Sequence, residues 1–237
     1  RLQREPLQYV TGATEFWGHR FLCDPRALIP RCDTETLVEV ALELIDSTGA
    51  TAVLDIGTGT GVIALTLALE RPQLHVLATD ISAEALALAA ANVALHDLGQ
   101  RVTLAQGDCL EAVPEPWRER VQVLVCNPPY VRADELPHLA PEIRDHEPRV
   151  ALVGEGEDAT GLYARLVAGC GQLPALRALA FEVGAGQARA VATMLRRHRP
   201  DCVIMVREDL GGVERVVAAT FAPGAGSAPI SAKEASS

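Results

Sequence analysis

Short apolar runs alternate with longer helical patterns from residue 51 onward, and each change of pattern marks a new predicted element. The runs AVLDIG, HVLATD and VQVLVCN have the length of buried strands, whereas GVIALTLALE and SAEALALAAANVALHDLG have the length and composition of helices. Buried strands separated by helices are typical of a mostly parallel sheet covered on both faces. We therefore predict an α/β fold with a doubly wound sheet.

The second half of the chain continues this alternation and ends in a hairpin. ATGLYARLVAGC and GQARAVATMLRRH predict helices on either side of the strand ALRALAFEVG. Only DLGG separates the last two strands, CVIMVRED and VERVVAATF, so no crossover helix fits there and the final pairing is predicted to be antiparallel. With RVTLAQGD, the sheet has seven strands in a Rossmann-like arrangement.

Three regions are predicted along the chain. Residues 1–32 form a linker and a small β-hairpin, in which TEFW and HRFLC flank a turn at Gly18. Residues 33–221 form the sheet domain, with Asp33 as the N-cap of its first helix and PEPWRER as a loop. Residues 222–237 are rich in Pro, Gly, Ala and Ser and are predicted to be a disordered tail.

Composition and charge narrow the range of functions. Charged residues are 22% of the chain and the net charge is −10, so we expect no stable binding to nucleic acid, which needs clustered Lys and Arg. No apolar run is long enough to span a bilayer. The six cysteines are scattered, without metal-ligand spacing, which predicts reduced thiols, no metal site and a cytoplasmic protein. We also expect the protein to be a monomer.

A glycine-rich loop in VLDIGTGTGVIA predicts a cofactor site between the first sheet strand and its helix. Gly57, Thr58, Gly59, Thr60 and Gly61 let the backbone approach a ligand closely at a helix N-terminus. The order G-x-G-x-G departs from the dinucleotide fingerprint, which needs a third glycine one residue later. Asp55 before the loop favours a cationic ligand over a phosphate, and S-adenosylmethionine carries both an ammonium and a sulfonium group.

Two further acids end the next strands of the predicted sheet. Asp80 follows HVLAT, where its carboxylate can accept hydrogen bonds from ribose hydroxyls. Asp108 follows the strand after that and can meet an adenine amino group, with an Asx-turn as the alternative. Because the carboxyl ends of parallel strands share one edge of the sheet, we expect these acids and the glycine loop to surround one ligand.

The tetrapeptide NPPY, residues 127–130, closes the strand VQVLVC at the same edge. We predict that the Asn127 side-chain oxygen and the Pro128 carbonyl accept the two hydrogens of a planar nitrogen group. Pro128 and Pro129 hold these acceptors rigid, and Tyr130 stacks on the flat substrate. Asn127, Pro128 and Tyr130 are thus the predicted catalytic residues, and no general base is required, since the methylated product is acidic.

These motifs resemble the HemK/PrmC family of N5-glutamine methyltransferases, which use S-adenosylmethionine. NPPY is shared with enzymes that methylate DNA amino groups, but REPLQYVTGATEFWG, ALIPRCDTETLVE, HEPRVALVG and EDLGGVERVV occur in the family's order over roughly residues 4–221. The resemblance implies that Gly57–Gly61, Asp80, Cys109 and Asn127 contact the cofactor. It implies that residues 127–130 hold a glutamine of the Gly-Gly-Gln loop of a peptide-chain release factor.

The chain also departs from the family pattern. Cys32 replaces a customary proline, Cys109 a bulkier residue, and the chain begins at the linker that follows the family's N-terminal helical domain. Three alternatives therefore stay open: methylation of a ribosomal-protein glutamine, methylation of DNA amino groups, and an inactive cofactor-binding module that acts through protein contacts.

Overall fold

The computed structural model of the protein describes residues 4–221. Over that range the strands are β1 (Ala13–Phe16), β2 (His19–Leu22), β3 (Ala52–Ile56), β4 (His75–Asp80), β5 (Val102–Gln106), β6 (Val123–Cys126), β7 (Ala178–Glu182), β8 (Val203–Glu208) and β9 (Glu214–Thr220). The α-helices are α1 (Leu7–Thr11), α2 (Thr34–Thr48), α3 (Val62–Glu70), α4 (Ala83–Leu95), α5 (Glu115–Arg118), α6 (Pro141–Arg144), α7 (Gly161–Gly169) and α8 (Ala188–His198). Short 3₁₀ helices lie at Cys109–Ala112, Leu136–His138, Arg149–Ala151 and Cys170–Gln172.

Seven of the strands form one sheet in the order β5-β4-β3-β6-β7-β9-β8, and β1 pairs with β2 in a separate hairpin. Strands β3 to β7 are parallel, whereas β9 runs antiparallel to both β7 and β8. The predicted fold class, including the antiparallel end of the sheet, is confirmed. The strand order reverses between β3 and β6, and the crevice outside the carboxyl ends of strands at such a point is where open α/β sheets bind ligands.

Two apolar clusters cover the two faces of the sheet. One packs α2 and α3 against the sheet and includes Val53 of β3, while the other packs α7 and α8 and includes Leu54 and Ile56. Successive side chains of a strand point to opposite faces, so β3 contributes to both clusters. All five residues of β3 are buried, which is typical of a central parallel strand.

The small hairpin is fixed by its turn and by one amide. Trp17 and Gly18 have φ angles of 53° and 72°, and two consecutive positive values define the type I′ turn that suits a two-residue hairpin. Asn92 of α4 accepts the Leu22 N–H at 2.7 Å and donates to the Leu22 and Thr60 carbonyls. The hairpin is thereby tied to α4 and to the glycine loop.

Several local features differ from the sequence prediction. The segment predicted as a loop contains α5, with Pro114 in the N-cap position and Pro116 within the first turn, where proline is tolerated. Asp33 lies before α2, but it has helical φ and ψ and no side-chain capping bond; its Oδ2 instead lies 3.4 Å from Arg215. The predicted tail, 222–237, lies outside the described residues, and the domain boundaries stay predictions. Within residues 4–221, no helix is both long and apolar enough to cross a membrane.

Candidate active site

A cavity of about 250 Å³ opens at the crevice between β3 and β6. Its walls come from the loops that follow four parallel strands, β3 to β6, and from two covering segments, residues 26–31 and 148–155. The predicted site residues in the wall are Gly57, Thr58, Gly59, Thr60, Asp80, Asp108, Cys109, Asn127 and Pro129. Gly61, Pro128 and Tyr130 do not line the cavity.

The glycine loop turns back over the end of the neighbouring strand. The N–H groups of Gly57 and Thr58 both donate to the Thr79 carbonyl at 2.9 Å. Gly61 has a φ of 84°, and a side chain there would lie 3.0 Å from Leu65 Cδ1 and 3.4 Å from Ala89 Cβ. Gly61 therefore packs the loop against α3 and α4, which explains its absence from the wall.

Asp80 connects the loop to the end of β4. Its Oδ2 accepts the Gly59 N–H and its Oδ1 accepts the Ser82 N–H, each at 2.9 Å. Burial raises the pKa of Asp80, while hydrogen bonds from the backbone of Ser82, Gly59 and Ile81 oppose the shift. Each carboxylate oxygen retains a lone pair for a further donor, so a pair of vicinal hydroxyls is a suitable ligand for Asp80.

Asp55 lies behind the glycine loop and not in the cavity wall. It is fully buried, and its Oδ2 accepts the Thr58 hydroxyl at 2.6 Å, while its Oδ1 has no hydrogen-bond partner. Burial raises its pKa to about 7. In the structure, Asp55 holds the Thr58 hydroxyl. It does not line the cavity, so it does not lie beside a cationic ligand there, contrary to the sequence prediction.

Asp108 and Cys109 form the wall beyond β5. The Asp108 Oδ2 lies 2.7 Å from Arg165 Nη2 of α7, and Arg165 also pairs with Glu155 at 2.7 Å. An adenine amino group would therefore share Asp108 with an arginine, which the sequence pattern did not indicate. Cys109 is buried and has a φ of 51°, an unusual backbone conformation for a residue other than glycine.

The NPPY corner follows β6 on the other side of the crevice. The Asn127 Nδ2 donates to the Thr34 hydroxyl at 3.2 Å, which leaves the Asn127 Oδ1 as the acceptor of this amide. Pro128 is buried beneath the corner. Tyr130 packs beside Gly184, and burial raises its pKa to about 12, so its hydroxyl stays protonated.

An ion pair connects the covering segment 26–31 to Glu147, which directly precedes the covering segment 148–155. The Arg31 guanidinium pairs with the buried Glu147 carboxylate, whose Oε2 also accepts the Ile29 N–H at 3.4 Å. Burial raises the pKa of Glu147, and the nearby Arg31 opposes that shift. Glu147, which belongs to the motif HEPRVALVG, thus holds the long loop after NPPY against the N-terminal segment.

Sequence reasoning gave no individual role to three residues of this region. Thr34 and Glu182 are buried beside Asn127, and Arg165 reaches Asp108 from a distant helix. Thr34 appeared only inside the motif CDTET, and Glu182 only as the polar end of an apolar strand. A charged residue that ends a fully buried strand was the available signal for Glu182.

Comparison with known proteins defines first the class and then the family. Residues 33–147 match the family model described as methyltransferase small domain. The human METTL16 catalytic domain in complex with the MAT2A 3′UTR hairpin 1 superimposes with a TM-score of 0.69 at 17% identity, covering 91% of this chain and 88% of that one. At this identity the likeness concerns the fold alone, which is that of a methyltransferase.

The curated relatives are more specific. The chain is 43% identical to the release factor glutamine methyltransferase of Cereibacter sphaeroides over 92% of this chain and 76% of the relative. For the proteins of the same name from Bordetella pertussis and Geobacter sulfurreducens, identity is 43% and 41%, over 91% and 92% of this chain and 78% and 74% of the relatives. The chain belongs to the family of release factor glutamine methyltransferases, as the motifs predicted.

Proposed function

We propose that the protein transfers a methyl group from S-adenosylmethionine to the side-chain amide nitrogen of a glutamine in a peptide-chain release factor. The observation that carries the proposal is the Asn127 carboxamide at the crevice between β3 and β6. Its nitrogen is bound to Thr34, so its oxygen is the acceptor available to a substrate N–H. The glycine loop and Asp80 lie in the wall of the same cavity.

The wall residues suit the proposed cofactor. Asp80 offers both carboxylate oxygens to ribose hydroxyls, and the loop residues Gly57–Thr60 present backbone without bulky side chains. Asp108 and Cys109 border the part of the cavity where an adenine would lie. When bound, S-adenosylmethionine supplies a methyl group activated by a positively charged sulfur.

The substrate residues act by orientation. An amide nitrogen is a weak nucleophile because its lone pair is delocalised, so its position relative to the methyl group governs the rate. Asn127 Oδ1 accepts one N–H of the glutamine amide. The carbonyl of Pro128, a residue that does not line the cavity in this structure, is the predicted acceptor of the other N–H, and the two bonds together would fix the amide plane. In transfer from a bound cofactor, the nitrogen held by these acceptors would gain the methyl group as the sulfur is released as a neutral thioether, and the nitrogen would then lose a proton to water. Orientation of this kind contributes on the order of 7 kcal/mol or more.

We propose that the protein acts in the cytoplasm. All six cysteines are free thiols, as expected for a reducing compartment. We further propose that the protein acts as a monomer and forms no stable complex with nucleic acid, in keeping with its net charge of −10.

A transfer assay with radiolabelled methyl donor tests the proposal. The substrates are a release factor, the same factor with its Gly-Gly-Gln glutamine changed to alanine, a ribosomal protein fraction and DNA. We expect label in the first substrate alone. Label in the alanine variant, or in DNA or ribosomal protein in preference to the release factor, would refute the assignment. Cofactor binding without transfer to any substrate would indicate an inactive binding module.

A further inference from the structure

Glu182 is a buried carboxylate whose two oxygens make no hydrogen bond of ordinary geometry, although two hydroxyl groups lie nearby. It ends β7, is fully inaccessible to solvent, and neither of its carboxylate oxygens is satisfied. Buried carboxylates are almost always paired, because removal of the charge from water is strongly unfavourable. A group of this kind that persists beside a cavity is a candidate for a functional role.

The sheet register places Glu182 beside the NPPY corner. Cys126 of β6 pairs with Phe181 of β7, so the next residues along the two strands are Asn127 and Glu182. Thr34 begins α2 above this point, is 2% exposed, and accepts the Asn127 amide hydrogen. The Thr34 hydroxyl also lies close enough to Glu182 to lower the pKa of that carboxyl.

One arrangement of hydrogen bonds around the Thr34 hydroxyl is compatible with all its neighbours. A hydroxyl donates one hydrogen and accepts others, whereas an ionised carboxylate only accepts. If the Thr34 hydroxyl donates its hydrogen to Glu182, the Thr34 oxygen can only accept a hydrogen bond from Asn127. The nitrogen of the Asn127 amide must therefore face Thr34, as it does in the structure. The Asn127 oxygen is then left for the substrate.

We propose that Glu182 is a positioning residue that acts through Thr34 to keep the Asn127 carboxamide with its oxygen available to the substrate. This inference rests on the proposed function. Without an ionised Glu182, Thr34 can donate to Asn127 instead, and the amide can turn by 180°. Its nitrogen would then face the N–H of the glutamine amide, and two donors cannot form a hydrogen bond.

Other groups around Glu182 set the pH range over which it ionises. Burial raises the pKa of Glu182 to about 7. The Thr34 hydroxyl, the Arg215 charge and the Tyr130 hydroxyl oppose the shift, and the Asp33 charge adds to it. The ionisable and charged groups that face it are Arg215 of β9, Asp33 before α2, Cys126 of β6, Tyr130 after β6 and Tyr163 of α7. An ionised Glu182 can only accept, whereas a protonated Glu182 can also donate to Thr34 and so no longer fixes the direction of that hydrogen bond. Methyl transfer should therefore decline as pH falls through this range.

The first test compares the wild type with Glu182→Gln at saturating cofactor. We expect kcat to fall by about 100-fold in the variant, the effect typical of a misplaced reacting group. Cofactor affinity should stay within a few-fold, because Glu182 does not line the cavity. In the wild type, kcat should fall with decreasing pH below about 7, whereas the remaining activity of Glu182→Gln should show no such step.

The second test separates the route through Thr34 from a purely structural effect. Thr34→Ser keeps the hydroxyl and should retain the wild-type pH profile. Thr34→Val keeps the shape, loses the hydroxyl, and should reproduce the loss in Glu182→Gln. The double variant should be no worse than either single variant, because the two residues act in one chain of hydrogen bonds. Thermal unfolding verifies that each variant is folded.

Distinct results would overturn the inference. One is a Glu182→Gln variant with wild-type kcat and pH profile. Another is a loss of the pH step in Tyr130→Phe together with its retention in Thr34→Val, which would place the route through Tyr130. Either result in an active wild-type enzyme leaves the proposed function intact, whereas absence of transfer to glutamine by the wild type refutes that function first.

Discussion

Burial divides the carboxylates of this protein into two groups. Asp24 and Asp46 are partly exposed, and their Arg26 and Arg71 partners lower the pKa of each carboxyl. Asp55, Asp80, Glu147 and Glu182 are largely or wholly buried, and burial raises the pKa of all four. Three of them lie on β3, β4 and β7 near the crevice and Glu147 lies in the loop after NPPY, in agreement with the tendency of perturbed acids to gather at functional sites.

At the residue scale, Asn127→Ala should abolish methyl transfer while cofactor affinity stays within several-fold. The alanine has no oxygen to accept the substrate N–H, but the glycine loop and Asp80 are unchanged. Single-turnover transfer and calorimetric titration of the cofactor measure the two effects. Gln100→Ala removes an exposed amide away from the cavity and serves as the control. Full activity in the Asn127 variant would contradict the proposed role of this corner.

Asp80→Asn should weaken cofactor binding by about 10- to 100-fold, which corresponds to about 1–3 kcal/mol for one mismatched hydrogen-bond position. In the variant, an amide nitrogen replaces an oxygen that accepts the Gly59 or Ser82 N–H. Calorimetry measures the affinity, and Asp97→Asn, the control, changes an exposed acid in a conformation that Asn tolerates. Unchanged affinity in Asp80→Asn would show that Asp80 does not contribute to the cofactor site.

At the element scale, α4 begins shortly after Asp80, the last residue of β4. Ser82 is its N-cap, has extended φ and ψ, and accepts the Ala85 N–H at 3.2 Å. Asp80 Oδ1 accepts the N–H of the same Ser82, so the first turn of α4 and the carboxylate of the site are built together. The stability of this helix start and the geometry of the site are therefore linked.

Ser82→Ala should lower the free energy of unfolding by about 1 kcal/mol, the usual effect of a lost N-cap. Urea unfolding in the absence of cofactor measures the change. The control is Ser47→Ala within α2, where the hydroxyl bonds back to the Leu44 carbonyl of its own helix. Alanine is the better helix former there, so we expect the control to be neutral or slightly stabilising. A Ser82 variant as stable as the control would exclude the capping role.

At the scale of the whole molecule, the fold buries the Glu182 carboxylate, and the ionised form of this side chain lowers the free energy of unfolding. The folded state raises the pKa of Glu182 from 4.5 to about 7. It therefore binds this proton more tightly than the unfolded chain does. The penalty is absent below about pH 4.5, grows as pH rises to about 7, and stays constant above that value.

Glu182→Gln should thus unfold at a higher temperature than the wild type at pH 8, with a smaller difference at pH 5. The shift in pKa corresponds to a penalty of up to about 3 kcal/mol at high pH. Thermal unfolding of both proteins across this range measures it. Higher stability together with lower activity would show a carboxylate retained for function at the expense of stability. A difference that shrinks with rising pH would contradict a raised pKa of Glu182 in the folded state.

The sequence determined the sheet, its antiparallel end and the family, because apolar periodicity and short motifs are local properties of the chain. It also indicated which strand ends carry the loop 57–61, Asp80 and Asn127. Only the tertiary structure brought Thr34 and Glu182 beside Asn127 and Arg165 beside Asp108. It also showed that Asp55 is buried behind the cavity wall and is not part of it. The sequence could not show these relations, because they depend on how distant elements pack, which side chains are buried and which share hydrogen bonds.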